Sequence, residues 1–473
     1  MIAFPDKYLP LFAFLLLSVG IQSSYAQNAI LPFTQKGIYG YRTNDSVVVE
    51  PLYDMAFEFR EGLGKVIHNG KPCFVDSTGK QVITTDYDYA SSFSDGLARV
   101  EKDQRWGFID RKGKLVIPFI YESVHSFSQG IAMVERGGKY GFIDKKGAII
   151  IPLQYDEISF FSEGVAEVRK GRKWGYINNT GKVILAPEYD DVLPFSEGLG
   201  IVKSLGHFGA VDKTGHIVIP FIHNHLGQYS NGLASYSDRD STYGYINHDG
   251  HIVIPMQYSE VRPFKNGRVL VKKNNMYQYL NTSGEVLAEL PFDKVDDFAE
   301  GLARVEKNQK VGFIDTTGKL VVNLLYTNAH SFAEGLVMVE KNWKWGFVDK
   351  TGKVVIPLEY DGVTYFSDGV AMVHKNNKWG FIDKAGKIVV PLEYDVLYYP
   401  TEGLAGASKN GKYGFINLKG ETVLPFIYFT AESFLEGLAR VIKDGHTYHI
   451  NKRGECVKYK HFVCHGEVNA SKK

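Results

Sequence analysis

Cysteine is scarce in this chain. Cys73, Cys456 and Cys464 are the only three in 473 residues. That excludes a disulfide-stapled scaffold, although Cys456 and Cys464 could pair in an oxidising compartment. An excess of one charge is also lacking: 54 Lys and Arg face 53 Asp and Glu, for a net charge of +1. No concentrated basic footprint of a nucleic-acid binder follows from such a balance. Downstream of residue 21 there is no run of 18 apolar residues, and hence no membrane-spanning helix is expected. Gly-x-Ser-x-Gly, His-Glu-x-x-His and a phosphate-cradling Gly loop are all missing. The sequence therefore assigns no catalytic residue, no cofactor and no metal ligand.

The first residues read as a targeting segment. Lys7 precedes an apolar run from Leu9 to Ile21, followed by Ser24-Tyr25-Ala26 with small residues where a signal peptidase reads. The run is too short to span a bilayer. Cleavage after Ala26 is expected, which gives residues 1–26 as signal peptide, 27–465 as the folded part and 466–473 as a polar tail.

What the chain has in abundance is one phrase of about 34 residues, written thirteen times. Phe93-Ser-Asp-Gly-Leu-Ala-Arg-Val leads to Arg105-Trp-Gly-Phe-Ile-Asp and then to Val116-Ile-Pro. The glycine after the aromatic marks the copies: Gly40, Gly107, Gly141, Gly175, Gly209, Gly244, Gly312, Gly346, Gly380 and Gly414. Cys73, Gln278 and Tyr448 replace it in three copies. We number the units 1 to 13 by these positions. All spacings are 34 except one of 33 (40 to 73) and one of 35 (209 to 244). A fixed period means that each unit repeats one local structure and packs on its neighbours. Cys73, at a glycine position beside Phe74, reads as a buried free thiol.

The unit is not helical. It carries glycines at fixed places, a recurrent Pro (Pro51, Pro118, Pro152, Pro220, Pro255, Pro357, Pro391, Pro425) and an apolar pattern of period two. Residues 97–100, 106–109 and 115–117 read as three short strands. Asp110-Arg-Lys-Gly113 reads as a tight turn, the Asp accepting backbone N–H bonds and the Gly taking positive φ. Asp or Asn recurs at this place in every later copy. The Tyr-Asp-x-Val stretch, as in Tyr360-Asp-Gly-Val, reads as an extended linker. The glycine inside the second strand implies close backbone approach or an aromatic lying over it. The end units read as atypical caps.

The strings Lys173-Trp-Gly-Tyr-Ile-Asn, Lys344-Trp-Gly-Phe-Val-Asp and Lys378-Trp-Gly-Phe-Ile-Asp-Lys-Ala-Gly-Lys, with Val-Ile-Pro-x-x-Tyr-Asp following, resemble the bacterial WG-repeat family, also called KWG repeats. The resemblance covers essentially all of the chain after residue 26 and implies a β-structured repeat protein. A more distant likeness is to choline-binding repeats of the cell wall, whose unit is shorter. Only Trp106, Trp174, Trp345 and Trp379 keep the indole.

Four features invite a chemical reading. The aromatics Trp106, Tyr140, Trp174, Trp345, Trp379 and Tyr413 form a candidate binding ladder for sugar or choline groups; the same residues also suit packing. The Lys or Arg before the aromatic, at 105, 139, 173, 310, 344, 378 and 412, reads as a solvated face laced with ion pairs. His207, His216, His223, His225, His248 and His251 cluster in the middle of the chain but read as substitutions at exposed repeat positions, not as a metal site. The Asp turns lack the alternating oxygens of a calcium loop.

These observations give an all-β array of about thirteen three-stranded units, an open β superhelix or solenoid of stacked hairpins, with propeller-like rings as the alternative. The expected role is non-catalytic: a surface for protein partners at the cell envelope, with a cell-wall glycan as the alternative partner and no nucleic acid. The expected location is periplasmic or secreted.

Overall fold

The computed structural model describes residues 30–35, 38–238, 241–435 and 437–457. The signal-peptide segment, Cys464 and the polar tail lie outside the described residues.

Each unit is an antiparallel meander. In unit 3 the strands are Tyr89–Ala90, Leu97–Lys102, Arg105–Asp110 and Leu115–Tyr121, hydrogen-bonded in that order. Eleven such four-stranded sheets follow one another, flanked by a three-stranded sheet at each end. The expected count of three strands per unit falls short by one, because the extended linker pairs as a strand. Only Tyr89 and Ala90 form its regular part, paired with Glu101 and Val100, and a lone bridge joins Ser94 to Leu97. So short a strand has no room for a visible alternation. The second and third strands are joined by a two-residue turn with both φ values positive, as at Asp103 (50°) and Gln104 (62°), the geometry that suits the twist of a hairpin. The third turn is as read: Asp110 accepts from the N–H groups of Lys112 and Lys114 at 2.9 Å each, and Gly113 has φ +81°.

The consensus glycine is explained by the edge strand. Trp106 pairs with Tyr121 and Phe108 with Ile117, so one residue of the third strand faces three of the fourth. This bulge drives the Ile117–Pro118 backbone onto Gly107, where a Cβ would lie 2.5 Å from the Ile117 carbonyl oxygen. Two of the three units without the glycine are seen to lack the bulge at that point. Cys73 pairs directly with Thr84, and Gln278 directly with Glu289. Tyr448 belongs to the last sheet, where among the described residues only the bridge Ile450–Cys456 and the Val457 N–H bond to the His449 carbonyl continue beyond its strand. Cys73 is buried and free, its thiol pushed up to about 11 by burial. Cys456 is disulfide-bonded.

The core lies between units. Leu97, Phe108, Ile117 and Tyr121 of unit 3 pack against Val124, Phe127, Ala132, Val134 and Ile143 of unit 4. The third-strand aromatic of one unit meets the Phe of the next unit's Phe-Ser-Glu-Gly phrase edge to face, Phe108–Phe127 at 4.8 Å and Tyr176–Phe195 at 4.9 Å. An isolated unit would leave half of each such cluster in water, which is why the units are stable only as an array.

The two ends of the solenoid overlap. Tyr39 and Thr34 of unit 1 lie against Gly403 of unit 12, and Gly70 of unit 2 lies against Leu438 and Val457 of unit 13. Arg453 hydrogen-bonds Asn69 and forms an ion pair with the buried Asp54 at 3.4 Å. In a flat ring unit 13 would meet unit 1. Here units 1 and 2 meet units 12 and 13, an offset of eleven, so the array makes a superhelical turn and seats its end on its beginning.

Candidate interaction surface

Two polar ladders tie successive units together. On one end of the sheets the Lys or Arg before the aromatic pairs with the acid of the following linker: Arg105–Glu122 at 3.2 Å, Lys139–Asp156 at 2.5 Å, Lys173–Asp190 at 2.7 Å, Lys344–Asp361 and Lys378–Asp395 at 2.5 Å. The same acids also accept a backbone N–H from the hairpin turn of their own unit, as in Gly171 to Asp156 at 2.6 Å. The lysine and these N–H bonds hold the Asp156, Asp190, Asp361 and Asp395 carboxyls below the usual carboxylate range. The expected ion-pair-laced face is therefore present.

The other end carries a ladder that sequence reading missed. The acid of Phe-Ser-Glu-Gly reaches the N–H of the equivalent glycine one unit on, Glu163 to Gly198 and Glu300 to Gly335 at 3.0 Å. It also binds a turn lysine 50 residues on: Lys213, Lys350 and Lys384 pair with Glu163, Glu300 and Glu334 at 3.0, 3.0 and 2.7 Å. Lys452 and Glu402 repeat this pair at 3.1 Å, but Lys452 is 0% exposed, against about 45% for the others, because Tyr39 covers it across the overlap. Burial lowers the Lys452 ammonium from its ordinary value, and Glu402 opposes that shift.

The six ladder aromatics all lie half-buried at the margins of the inter-unit cores. Trp106, Tyr140, Trp174, Trp345, Trp379 and Tyr413 each border a different core cluster. Trp379 stacks on His374 at 4.6 Å, Tyr413 on Tyr398 at 6.0 Å, and the Arg99 guanidinium lies 5.4 Å from the Trp106 ring. They are not brought together into one site; each serves its own junction.

The histidines correct the sequence expectation in part. His207, His216 and His251 are exposed as expected. His223 is buried and bonds Asp238 at 2.5 Å, and His225 is half-buried and bonds the Ser235 hydroxyl at 3.0 Å. Burial lowers the His225 imidazole below its usual range. Among the described residues no group of three or more His, Cys, Asp or Glu is placed to hold a metal ion.

The outer rim holds a regular array of exposed apolar side chains. The fourth strand is the edge of its sheet, and its first residue points to solvent in unit after unit: Leu115, Ile149, Val183, Ile217, Ile252, Val286, Val354 and Ile388. Ile217 and Ile252 are 58% and 60% exposed. The exposed prolines Pro118, Pro152, Pro220, Pro255, Pro357 and Pro391 lie in the same edge strands, where a missing N–H blunts open-ended strand pairing. A second outlier is Trp343, 87% exposed with φ +62°. It occupies a turn position taken by Asn275, Asn377 or Gly411 in other units. That departure from the turn chemistry is the sequence signal that would have found it.

Two solved structures illustrate the level of likeness. A eukaryotic initiation factor is 12% identical with a TM-score of 0.31, over 63% of this chain and 95% of that one. PorZ, a bacterial surface component of the type-IX secretion system of Porphyromonas gingivalis, is 10% identical with a TM-score of 0.23, over 85% of this chain and 65% of that one. No curated protein matches. No helix among the described residues is long and apolar enough to cross a membrane. The model of the WG containing repeat matches twelve consecutive segments from residues 41–71 to 413–445, and with units 2 to 12 built on the same four-stranded meander, the chain belongs to the WG containing repeat family.

Proposed function

We propose that this protein is an exported, non-catalytic scaffold that presents its edge-strand rim to protein partners at the cell envelope. The observation that carries the reading is the row of exposed aliphatic side chains from Leu115 to Ile388, present on the edge strand of eight of the nine units in that span, unit 9 excepted. Contiguous exposed apolar surface marks interaction sites, and a repeat array offers such a surface to an extended partner. The polar ladders, by contrast, are occupied in holding the units together. Export is supported by the targeting segment read at residues 1–26.

The test is affinity capture of envelope proteins with the whole chain and with an Ile217→Glu, Ile252→Glu double variant. Both positions are exposed, so the variant should fold and melt like the parent while its capture of the partner falls at least tenfold. Equal capture by the two proteins would refute the reading. Glycan stacking on the six half-exposed ladder aromatics is the second reading; it predicts binding to purified cell-wall polysaccharide that falls on Trp379→Ala and is untouched by the rim variant.

A further inference from the structure

One junction differs from all the others. In nine units a linker residue donates its N–H to the carbonyl of the residue eight positions on, in the second strand, and in the other three the sequence places residues at the same two positions. From unit 2 to unit 13 the pairs are Phe57 with Lys65, Ser91 with Arg99, His125 with Met133, Ser159 with Glu167, Leu193 with Ile201, Gly227 with Ser235, Arg262 with Leu270, Asp296 with Arg304, His330 with Met338, Thr364 with Met372, Tyr398 with Gly406 and Glu432 with Arg440. At least one member is large in every pair but Gly227–Ser235. Even the glycine of unit 12 is covered, since a Cβ on Gly406 would meet the Tyr398 ring at 2.8 Å.

Where both members are small, a solvent-open groove of about 470 Å³ lies between units 7 and 8. The clefts at the overlap of the chain ends are about 190 and 290 Å³. Ligand pockets run from about 300 to 1,000 Å³, and this groove is the largest of the three. Tyr243 and Tyr277 supply ring surface to its wall, and Ser235, His225 and Glu260 supply polar groups.

The charges on this wall are already matched. Lys272 pairs with Glu260 at 2.9 Å and lies 4.7 Å from the centre of the Tyr277 ring, while the Tyr277 hydroxyl donates to the other Glu260 oxygen at 3.1 Å. Arg262 is held by Asp297 and donates to the Val295 carbonyl. A cationic ligand finds the carboxylate and one ring taken, and an anion finds both cations paired. A neutral polyhydroxylated ligand suits the wall. Its apolar ring face can lie on tyrosine, and its hydroxyls can bond Ser235, His225 and the fixed Glu260 carboxylate.

We propose that the groove between units 7 and 8, whose rings Tyr243 and Tyr277 stand at the ladder position of those two units, is a binding site for a neutral saccharide residue, separate from the protein-binding rim. The test is saturation-transfer NMR and titration calorimetry of the whole chain with glucose, galactose, mannose, N-acetylglucosamine and their β-linked dimers, with choline and acetate as charged controls. At least one saccharide should bind with a Kd in the range of about 0.1–10 mM. Ser235→Met installs the side chain present at 133, 338 and 372 in the same register; it should abolish the signal while leaving the melting temperature unchanged or higher. Glu260→Gln keeps the volume and should weaken binding about tenfold, by loss of a charge-assisted acceptor. No saccharide signal in the parent protein, a signal that survives Ser235→Met, or choline or acetate binding more tightly than any saccharide would overturn the proposal.

Discussion

The consensus glycine gives the sharpest test of the fold. A Cβ added at Gly175 would lie 2.3 Å from the Leu185 carbonyl oxygen and 2.7 Å from the Ala186 carbonyl carbon and the Pro187 nitrogen. Ordinary contact begins near 3.4 Å, so the bulge must retreat by about 1 Å, and every atom in the way is backbone. No rotamer change can relieve it. Overpacking of this kind costs about 1–3 kcal/mol. Displacing the bulge also weakens the flanking pairs Trp174–Tyr189 and Tyr176–Leu185, at about 0.5–1.5 kcal/mol per hydrogen bond lost. We therefore expect Gly175→Ala to destabilise by about 3 kcal/mol. Two comparisons fix the cause. Lys173→Ala removes only the exposed Asp190 ion pair and should cost no more than about 1 kcal/mol. Gln278→Gly, where the bulge is absent, should cost no more than the roughly 1 kcal/mol of a strand glycine. Denaturant melts followed by tryptophan fluorescence would read all three, with hydrogen exchange across units 4 to 6 showing where the loss falls. A Gly175→Ala loss no larger than that of Lys173→Ala would refute the bulge as the reason for the glycine.

Three further outcomes follow. Lys452→Ala leaves Glu402 without its cation under Tyr39 and should cost about 3–5 kcal/mol, as for one half of a buried pair, whereas Lys350→Ala at the equivalent exposed pair should cost at most about 1 kcal/mol; equal losses in thermal melts would mean that the overlap does not bury Lys452. Because the Asp156, Asp190, Asp361 and Asp395 carboxyls have lowered folded values, the unfolded chain binds more protons than the folded one as pH falls through the carboxylate range. Stability from these groups is complete above about pH 4 and is lost below it. Asp54, raised by burial, acts in the opposite sense and is outnumbered; a melting temperature that stays level from pH 6 to pH 3 would contradict this. Finally, Trp343→Asn places a turn-compatible residue at φ +62° and should leave stability equal or about 0.5–1 kcal/mol higher, and reduced partner capture by that variant would mark Trp343 as part of the binding surface.

Much of this architecture was legible from spacing alone. The three longer strands, the Asp-x-x-Gly turn and the atypical ends follow from period-two alternation and from glycine and proline positions. The strand at Tyr89–Ala90 was hidden by its length. The Glu–Lys ladder was hidden because its partners lie 50 residues apart, a distance set by the packing of one unit on the next. The overlap depends on a small rotation accumulated over eleven junctions, which no single unit encodes visibly. The gap at Gly227 and Ser235 can be seen only once the pairing of the first two strands is known. The buried position of His223 reflects the Tyr position it fills; Tyr121, Tyr155 and Tyr258 are buried at the same place.

The overlap of the chain ends is the most direct test of the superhelix. Gln35 of unit 1 and Lys419 of unit 12 are both exposed and line one cleft, and Cys73 is buried out of reach of label. With spin labels on cysteines introduced at 35 and 419, dipolar spectroscopy should give a narrow distance distribution near 20 Å, since facing sheets pack about 10 Å apart and each label adds its tether. A row of units that never overlaps would separate these sites by eleven such spacings, about 110 Å. Absence of a short distance would contradict the superhelical account.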